Sequence, residues 1–159
     1  MPFPFANGEF VTATNLNTAL RLGAQIQFRT FTPGSGTNFD GTGAFTTTFS
    51  FSNVTVPTGS TTAFAMIILS RVFLVAPINT TEYEMRIGVG GQFSTPTTRM
   101  CLDATDIISK AHPTVVVAGS ITLSGSGSQT FLFQSQRMSG TGVGQIDTVS
   151  DAIGFVMFQ

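Results

Sequence analysis

The most apolar run of the chain, residues 61–76, ends before Pro77 and contains one charged residue, Arg71. It is shorter than the roughly 20 uninterrupted apolar residues of a membrane-spanning helix, so no membrane span is predicted. A strand drawn through the run is apolar on both faces. One face carries Phe64, Met66 and Ile68, and the other carries Ala63, Ala65, Ile67 and Leu69. Such a strand is covered on both faces, and we expect the second cover to be another copy of this small chain.

Ser70 and Arg71 interrupt this run, which is long enough for one bent strand or for two strands that break at these residues. Arg71 is either buried and paired with a carboxylate or carbonyls, for example from a neighbouring subunit, or exposed at a strand break. The residues predicted to form the core and the subunit interface are Phe64, Met66, Ile68, Arg71, Val72 and Leu74.

Alternating polar and apolar residues predict further strands along the chain. We expect them at residues 24–31, 45–56, 81–89, 113–123, 130–137 and 152–158, with loops at 32–43 and 138–151. Residues 94–113 are predicted to form a long excursion, either without regular structure or with a short helix around 103–109. After Phe51 the apolar face shifts towards Val54 and Val56, which predicts a β-bulge. Roughly seven to nine strands, with turns about every ten residues, favour an all-β antiparallel sandwich.

The N-terminal segment has a different pattern, which divides the chain into an attachment segment at 1–23 and a β-sandwich body at 24–159. Pro2 and Pro4 favour extended backbone in residues 1–11. We expect this arm to pack either on its own domain or on a neighbour. It lacks the basic and apolar regions of a signal peptide, so none is predicted.

Residues 12–23 are predicted to form one short α-helix, with Thr12 or Thr14 as its N-cap. The small and apolar positions recur at the spacing of one helix face. These positions are Leu16, Ala19, Leu20 and Gly23.

The composition favours association with other subunits. Only 9% of the residues are charged, against about 25% in an ordinary soluble domain, and the chain has 16 Phe but no Trp. A surface solvated by hydroxyl and amide groups, with little charge, favours permanent burial in an oligomer. The alternative is a neutral secreted domain.

Charge and cysteine content exclude several classes of function. A net charge of −1 leaves no basic footprint for nucleic acid. The single cysteine, Cys101, excludes an intrachain disulfide and a cysteine-based zinc cluster. The low charge therefore predicts no nucleic-acid partner, and the short length of the apolar run at 61–76 predicts no membrane partner.

The few residue types that carry chemistry do not form a convincing site. Cys101 and His112 are a possible thiol–imidazole pair, but nothing near Cys101 in the sequence would activate it. Asp103 and Asp106, taken with His112, match no metal-ligand spacing. These residues are better explained as packed or solvated loop positions.

Glu82 and Glu84 project from the same face of a predicted strand, about 7 Å apart. That separation overlaps the spacing of a glycosidase pair. Alternation places both on the solvent face beside Arg86, as surface charges. We therefore predict no enzyme activity, no cofactor and no bound metal.

Residues 7–20, NGEFVTATNLNTAL, resemble a segment near the start of many tailed-bacteriophage fibre, tailspike and head-decoration proteins. The matching positions are Gly8, Val11, Thr12, Ala13, Leu16 and Asn17. The resemblance implies a virion structural subunit, usually trimeric, whose N-terminal part joins other capsid or tail proteins. Without a collagen-like or heptad shaft, it favours a capsid decoration (cement) subunit or a short fibre. The residues expected at the particle are Phe3, Phe5, Phe10, Val11, Leu16 and Leu20.

Residues 39–45 and 150–155 resemble parts of the trimeric jelly rolls of the complement and tumour-necrosis kind. This second resemblance implies that the sandwich body is jelly-roll-like.

A host-glycan-binding module at the tip of a phage tail or head fibre is the alternative function. Asn38, Asp40 and Tyr83 would then contact the sugar, because amide, carboxylate and aromatic groups suit such ligands. A sugar platform usually has Trp or several Tyr, and this chain has one Tyr and no Trp.

Overall fold

The computed structural model describes residues 26–31, 38–39, 41–75, 80–103, 114–146 and 152–159, with only the backbone described at 73–75. The described residues form twelve β-strands and contain no helix, which confirms the all-β prediction. The arm predicted at 1–11 and the helix predicted at 12–23 lie outside the described residues.

The strands follow one another closely along the chain. They are β1 (Ile26–Phe31), β2 (Asn38–Phe39), β3 (Thr46–Val56), β4 (Thr62–Leu69), β5 (Val72–Val75), β6 (Thr81–Val89), β7 (Gln92–Phe93), β8 (Thr98–Leu102), β9 (Val115–Thr122), β10 (Gly127–Ser139), β11 (Val143–Ile146) and β12 (Ala152–Phe158).

These strands form three antiparallel sheets. Sheet 1 has the order β1-β12-β4-β9, and sheet 3 has the order β2-β11-β5. Sheet 2 has the order β3-β10-β6, and both β7 and β8 pair with the remaining edge of β6. Sheets 1 and 2 face each other across the core, as in a sandwich.

The apolar run at 61–76 forms two strands that belong to different sheets. β4 lies in sheet 1 and β5 in sheet 3, and the chain turns between them at Ser70 and Arg71. Arg71 has a φ of 55°, in the left-handed region that interrupts a strand. This confirms two strands rather than one bent strand. Each strand of sheet 3 is next in the chain to one strand of sheet 1: β2 follows β1, β11 precedes β12 and β5 follows β4. The two sheets have these strands in the same order.

Phenylalanine rings fill much of the space between the sheets. Phe49 stacks on Phe31 and on Phe133, with ring centroids 4.4 and 4.7 Å apart. Phe39 packs edge-on against Phe133 and Tyr83. Burying each large side chain contributes about 1.5–3 kcal/mol, so these rings supply much of the stabilisation.

The β-bulge predicted in residues 45–56 is confirmed. In the pairing of β3 with β10, two residues separate Phe51 from Val54, whereas only one separates their partners on β10. The extra residue is accommodated where Asn53 adopts a φ of 59°, and asparagine tolerates this conformation better than most residues. Phe51 and Val54 are both buried as a result.

Three predicted loops contain short strands. β2 lies within 32–43, β8 lies within 94–113 and β11 lies within 138–151, while β7 ends immediately before residue 94. Each is at most five residues long, too short to establish a clear alternation. Pairing with a longer neighbour, rather than a pattern of their own, makes these segments extended.

Candidate assembly surface

Strand β4 presents apolar side chains on both faces, as its sequence predicts. Its inner face contributes Ala63, Ala65, Ile67 and Leu69 to the core, each at most 2% exposed. Its outer face carries Phe64, Met66 and Ile68, which are partly exposed. No described strand lies over this outer face, because sheet 2 covers the opposite side of sheet 1.

The pairing registers extend this apolar surface across all four strands of sheet 1. Residues paired across an antiparallel ladder lie on the same face, so the outer face consists of three rows. The rows, read from β1 to β9, are Thr30-Ile153-Ile68-Val116, Phe28-Phe155-Met66-Ala118 and Ile26-Met157-Phe64-Ser120. Ten of these twelve residues are apolar and none is charged. We refer to these twelve residues as the apolar face.

Several side chains of the apolar face are well exposed. Phe28 is 64% exposed, Val116 46% and Ile153 44%, and the Phe28 ring packs against Phe155, with ring centroids 5.4 Å apart. Soluble monomers rarely expose a contiguous apolar patch larger than a few hundred Å². The apolar face therefore has the properties of an interaction surface.

The outer face of sheet 2 has the opposite character. β6 buries Tyr83, Met85 and Ile87, so Glu84 and Arg86 lie on its outer side. Their partners there are amide and hydroxyl side chains, since Gln136 pairs with Glu84, and Gln134 pairs with Arg86 and Thr47. This face is polar and suited to solvent.

Arg86 is held in place on that polar face by two aromatic rings. Its guanidinium carbon lies 3.9 Å from the ring centre of Phe45 and 3.5 Å from that of Phe93, a double cation–π contact. Its Nε donates a hydrogen bond to Gln134 Oε1 at 2.9 Å. Desolvation lowers the pKa of Arg86, and the nearby Glu84 carboxylate opposes that shift.

The six residues predicted for the core and subunit interface have different positions. Phe64, Met66 and Ile68 lie together on the apolar face. Val72 is fully buried inside the subunit, and Arg71 is exposed in the single chain at the turn between β4 and β5, so its own subunit does not bury it. Leu74 pairs with Gly144 through its backbone in sheet 3.

The predicted particle-attachment residues lie outside the described part of the chain. These residues are Phe3, Phe5, Phe10, Val11, Leu16 and Leu20.

The predicted sugar contact through Tyr83 does not fit the structure. Tyr83 is 0% exposed; its hydroxyl donates to Gly142 O at 2.9 Å and accepts from Gly144 N at 2.7 Å. The ring therefore cannot stack on a sugar. Asn38 is partly buried and accepts a hydrogen bond from Gln145, while Asp40 lies outside the described residues.

The charged residues considered for catalysis make ordinary surface contacts. Glu84 accepts a hydrogen bond from Thr97 Oγ1 at 2.6 Å and lies 3.9 Å from Arg99. Glu82 accepts one from Ser139 at 3.3 Å. Cys101 is exposed, and its suggested partner His112 is among the residues that are not described.

Within the described ranges, no group of three or more His, Cys, Asp or Glu side chains is placed to hold a metal ion. The same part of the chain contains no helix long and apolar enough to cross a membrane.

Sequence reasoning missed most of the apolar face. It identified the three residues on β4, but not Phe28 on β1, Val116 on β9 or Ile153 and Phe155 on β12. The available signal was that the segment 152–158 also carries apolar residues at both parities. Segment 24–31 gave no such signal, because its alternation predicts Phe28 inside and Gln27 outside, whereas the structure exposes Phe28 and directs Gln27 towards β3. Only the order of strands in sheet 1 brings these residues together.

No protein-family model matches the sequence, and a search of curated proteins finds no significant match.

Proposed function

We propose that this chain is a non-enzymatic structural subunit of a bacteriophage virion, acting as a capsid decoration (cement) protein or short fibre. Its copies associate with one another, and its N-terminal segment anchors it to other virion proteins. The observation that carries this proposal is the apolar face, which has ten apolar residues and no charge on one side of the sandwich. An assembled particle provides permanent burial for such a surface.

The strand order supports a jelly-roll architecture for the body. Eight strands, β1, β3, β4, β6, β8, β9, β10 and β12, are counted here from first to eighth. The first pairs with the eighth, the second with the seventh, the third with the sixth and the fourth with the fifth. This is the pattern of one long antiparallel hairpin rolled into two sheets, as in jelly rolls of viral capsid proteins.

The N-terminal resemblance supports the assignment to a phage particle. Residues 7–20 match the attachment segment of tailed-phage structural proteins at six positions. In this proposal the arm at 1–11 contributes its phenylalanine side chains to the particle. The body at 24–159 assembles with other copies and faces outward with its polar sheet.

The test is whether the chain and its truncated form sediment with phage particles. Antibodies against the purified chain would be applied to gradient-purified particles from the phage that encodes it. We expect the full chain in the particle band, and its copy number should match the number of equivalent positions on a symmetric capsid or tail. A chain lacking residues 1–11 should remain folded and oligomeric but should stay at the top of the gradient.

The matched control replaces Phe93 with Ala in the full chain, which removes an exposed aromatic residue from the body and leaves the arm intact. This variant should sediment with the particles. Absence of the full chain from purified particles would overturn the assignment to the virion.

A further inference from the structure

We infer that the apolar face packs against the same face of a second copy of this chain, about a two-fold axis. This inference rests on the proposed function and deepens it, because it identifies the partner that the face binds.

The size of the face is close to what a specific contact needs. The four strands of sheet 1 are six to eight residues long, and at about 4.8 Å between strands and about 3.3 Å per residue they cover roughly 460 Å² in projection. Two such faces together cover roughly 920 Å², near the lower bound of about 1,000 Å² for a specific interface. The absence of charge means that pairing leaves no ionised group buried without a partner.

The partner of the apolar face is identified by the surface that complements it. An apolar face needs an apolar surface of similar size on the other side. Apart from the apolar face, the large hydrophobic residues exposed in the described part of the chain are Phe93 and Met138. Phe93 already packs on Arg86, and the outer side of sheet 2 around it is polar. Within the described residues, the surface that matches the apolar face is therefore the apolar face itself.

Self-complementarity of one surface determines the symmetry. When the same patch is used on both subunits, the contact is isologous and has a two-fold axis. Two sheets then pack face to face at about 10 Å, as the sheets within a sandwich do. The assembly contains an even number of chains, whereas a ring of three would press the apolar face against a different surface.

The experiment measures the mass of the purified chain by light scattering coupled to size exclusion. The test variant is Ile153→Lys, and Phe28→Lys is a second, independent one. Phe28 is 64% exposed and Ile153 44% exposed in the single subunit, so neither lysine enters the core, and circular dichroism with urea unfolding verifies that the fold is kept. The matched control is Met138→Lys, which is 45% exposed on β10 of sheet 2.

The full chain should have the mass of two chains or a multiple of two, and Met138→Lys should keep that mass. Each lysine on the apolar face enters a symmetric contact twice, so the dissociation constant of the pair should rise by at least about 100-fold. Both test variants should then elute as single chains at micromolar concentration.

Three results would overturn the inference: a monomeric full chain, a trimeric one, or an even-numbered oligomer that Met138→Lys disrupts and the two test variants do not. A trimer would leave the proposed function intact, since copies would still associate. If the full chain has the mass of an even number of chains but does not sediment with particles, the virion assignment is overturned and this pairing stays intact.

Discussion

The side-chain amide of Gln27 hydrogen-bonds to both backbone groups of Thr55, as the backbone of a neighbouring strand would. Thr55 N donates to Gln27 Oε1 at 3.0 Å, and Gln27 Nε2 donates to Thr55 O. Beside this pair, Arg29 Nη2 donates to Asn53 O at 2.7 Å. Because β1 lies in sheet 1 and β3 is an edge strand of sheet 2, these bonds join the sheets and occupy backbone groups that an open edge would leave free.

Replacing Gln27 with Ala should lower the free energy of unfolding by about 1–2 kcal/mol, because two hydrogen bonds are lost. Gln27→Glu should have a smaller effect, since a carboxylate still accepts from Thr55 N but cannot donate to Thr55 O. Urea unfolding of the purified variants measures both changes. Thr46→Ala, at an exposed position of β3 outside the apolar face, serves as the control. Equal stability of Gln27→Ala and the parent chain would contradict this explanation.

Tyr83→Phe should destabilise the fold by about 1–3 kcal/mol. The ring and its packing remain, but Gly142 O and Gly144 N lose their partner in a buried position, and leaving buried polar groups unpaired is costly. Thermal and urea unfolding give the magnitude. An unchanged unfolding midpoint would show that water replaces the hydroxyl at this site.

Gly144→Ala should also be destabilising, by about 1–3 kcal/mol, because the core has no space for a methyl group there. A Cβ at this position would lie 2.5 Å from Phe39 Cδ2 and 3.2 Å from Tyr83 Cε2, and both rings are fully buried. Gly125→Ala is the matched control, since its nearest neighbour would lie 4.0 Å away. Comparing the two variants by urea unfolding tests packing directly, and equal losses would argue against it.

Arg86→Lys should cost about 1 kcal/mol, although the positive charge is retained. A lysine ammonium cannot stack as a plane between Phe45 and Phe93 while also reproducing the Nε bond to Gln134. Arg99→Lys should have almost no effect, because the Arg99 side chain is 74% exposed and the carboxylate oxygen of Glu84 is 3.9 Å away, and exposed ion pairs contribute little. Urea unfolding in low and high salt distinguishes the two, and equal losses would indicate that the aromatic contacts are unimportant.

Much of the β-structure could be predicted from local pattern. The alternation in residues 81–89 identifies β6, including its buried Tyr83, Met85 and Ile87. The shift of the apolar face near Asn53 identifies the bulge. Local pattern works here because side chains of a strand alternate between two faces, so the strand's own residues record which face is buried.

The same reasoning fails where a residue's environment comes from distant segments. Tyr83 is polar enough to suggest a ligand contact, yet its hydroxyl is satisfied by backbone groups about sixty residues later in the chain. Likewise, β2 and β7 are two residues long each, and they are extended because longer strands pair with them.

The sequence by itself determined that this protein is built of strands, that the run at 61–76 is apolar on both sides, and that little charge is available to solvate the surface. The tertiary structure alone decided that the run splits between two sheets and that its outer side chains join those of β1, β9 and β12 in one face that no other described strand covers. The physical reason is that alternation is a property of each strand, whereas coverage of a face depends on which distant strands pair beside it and which sheet packs against it.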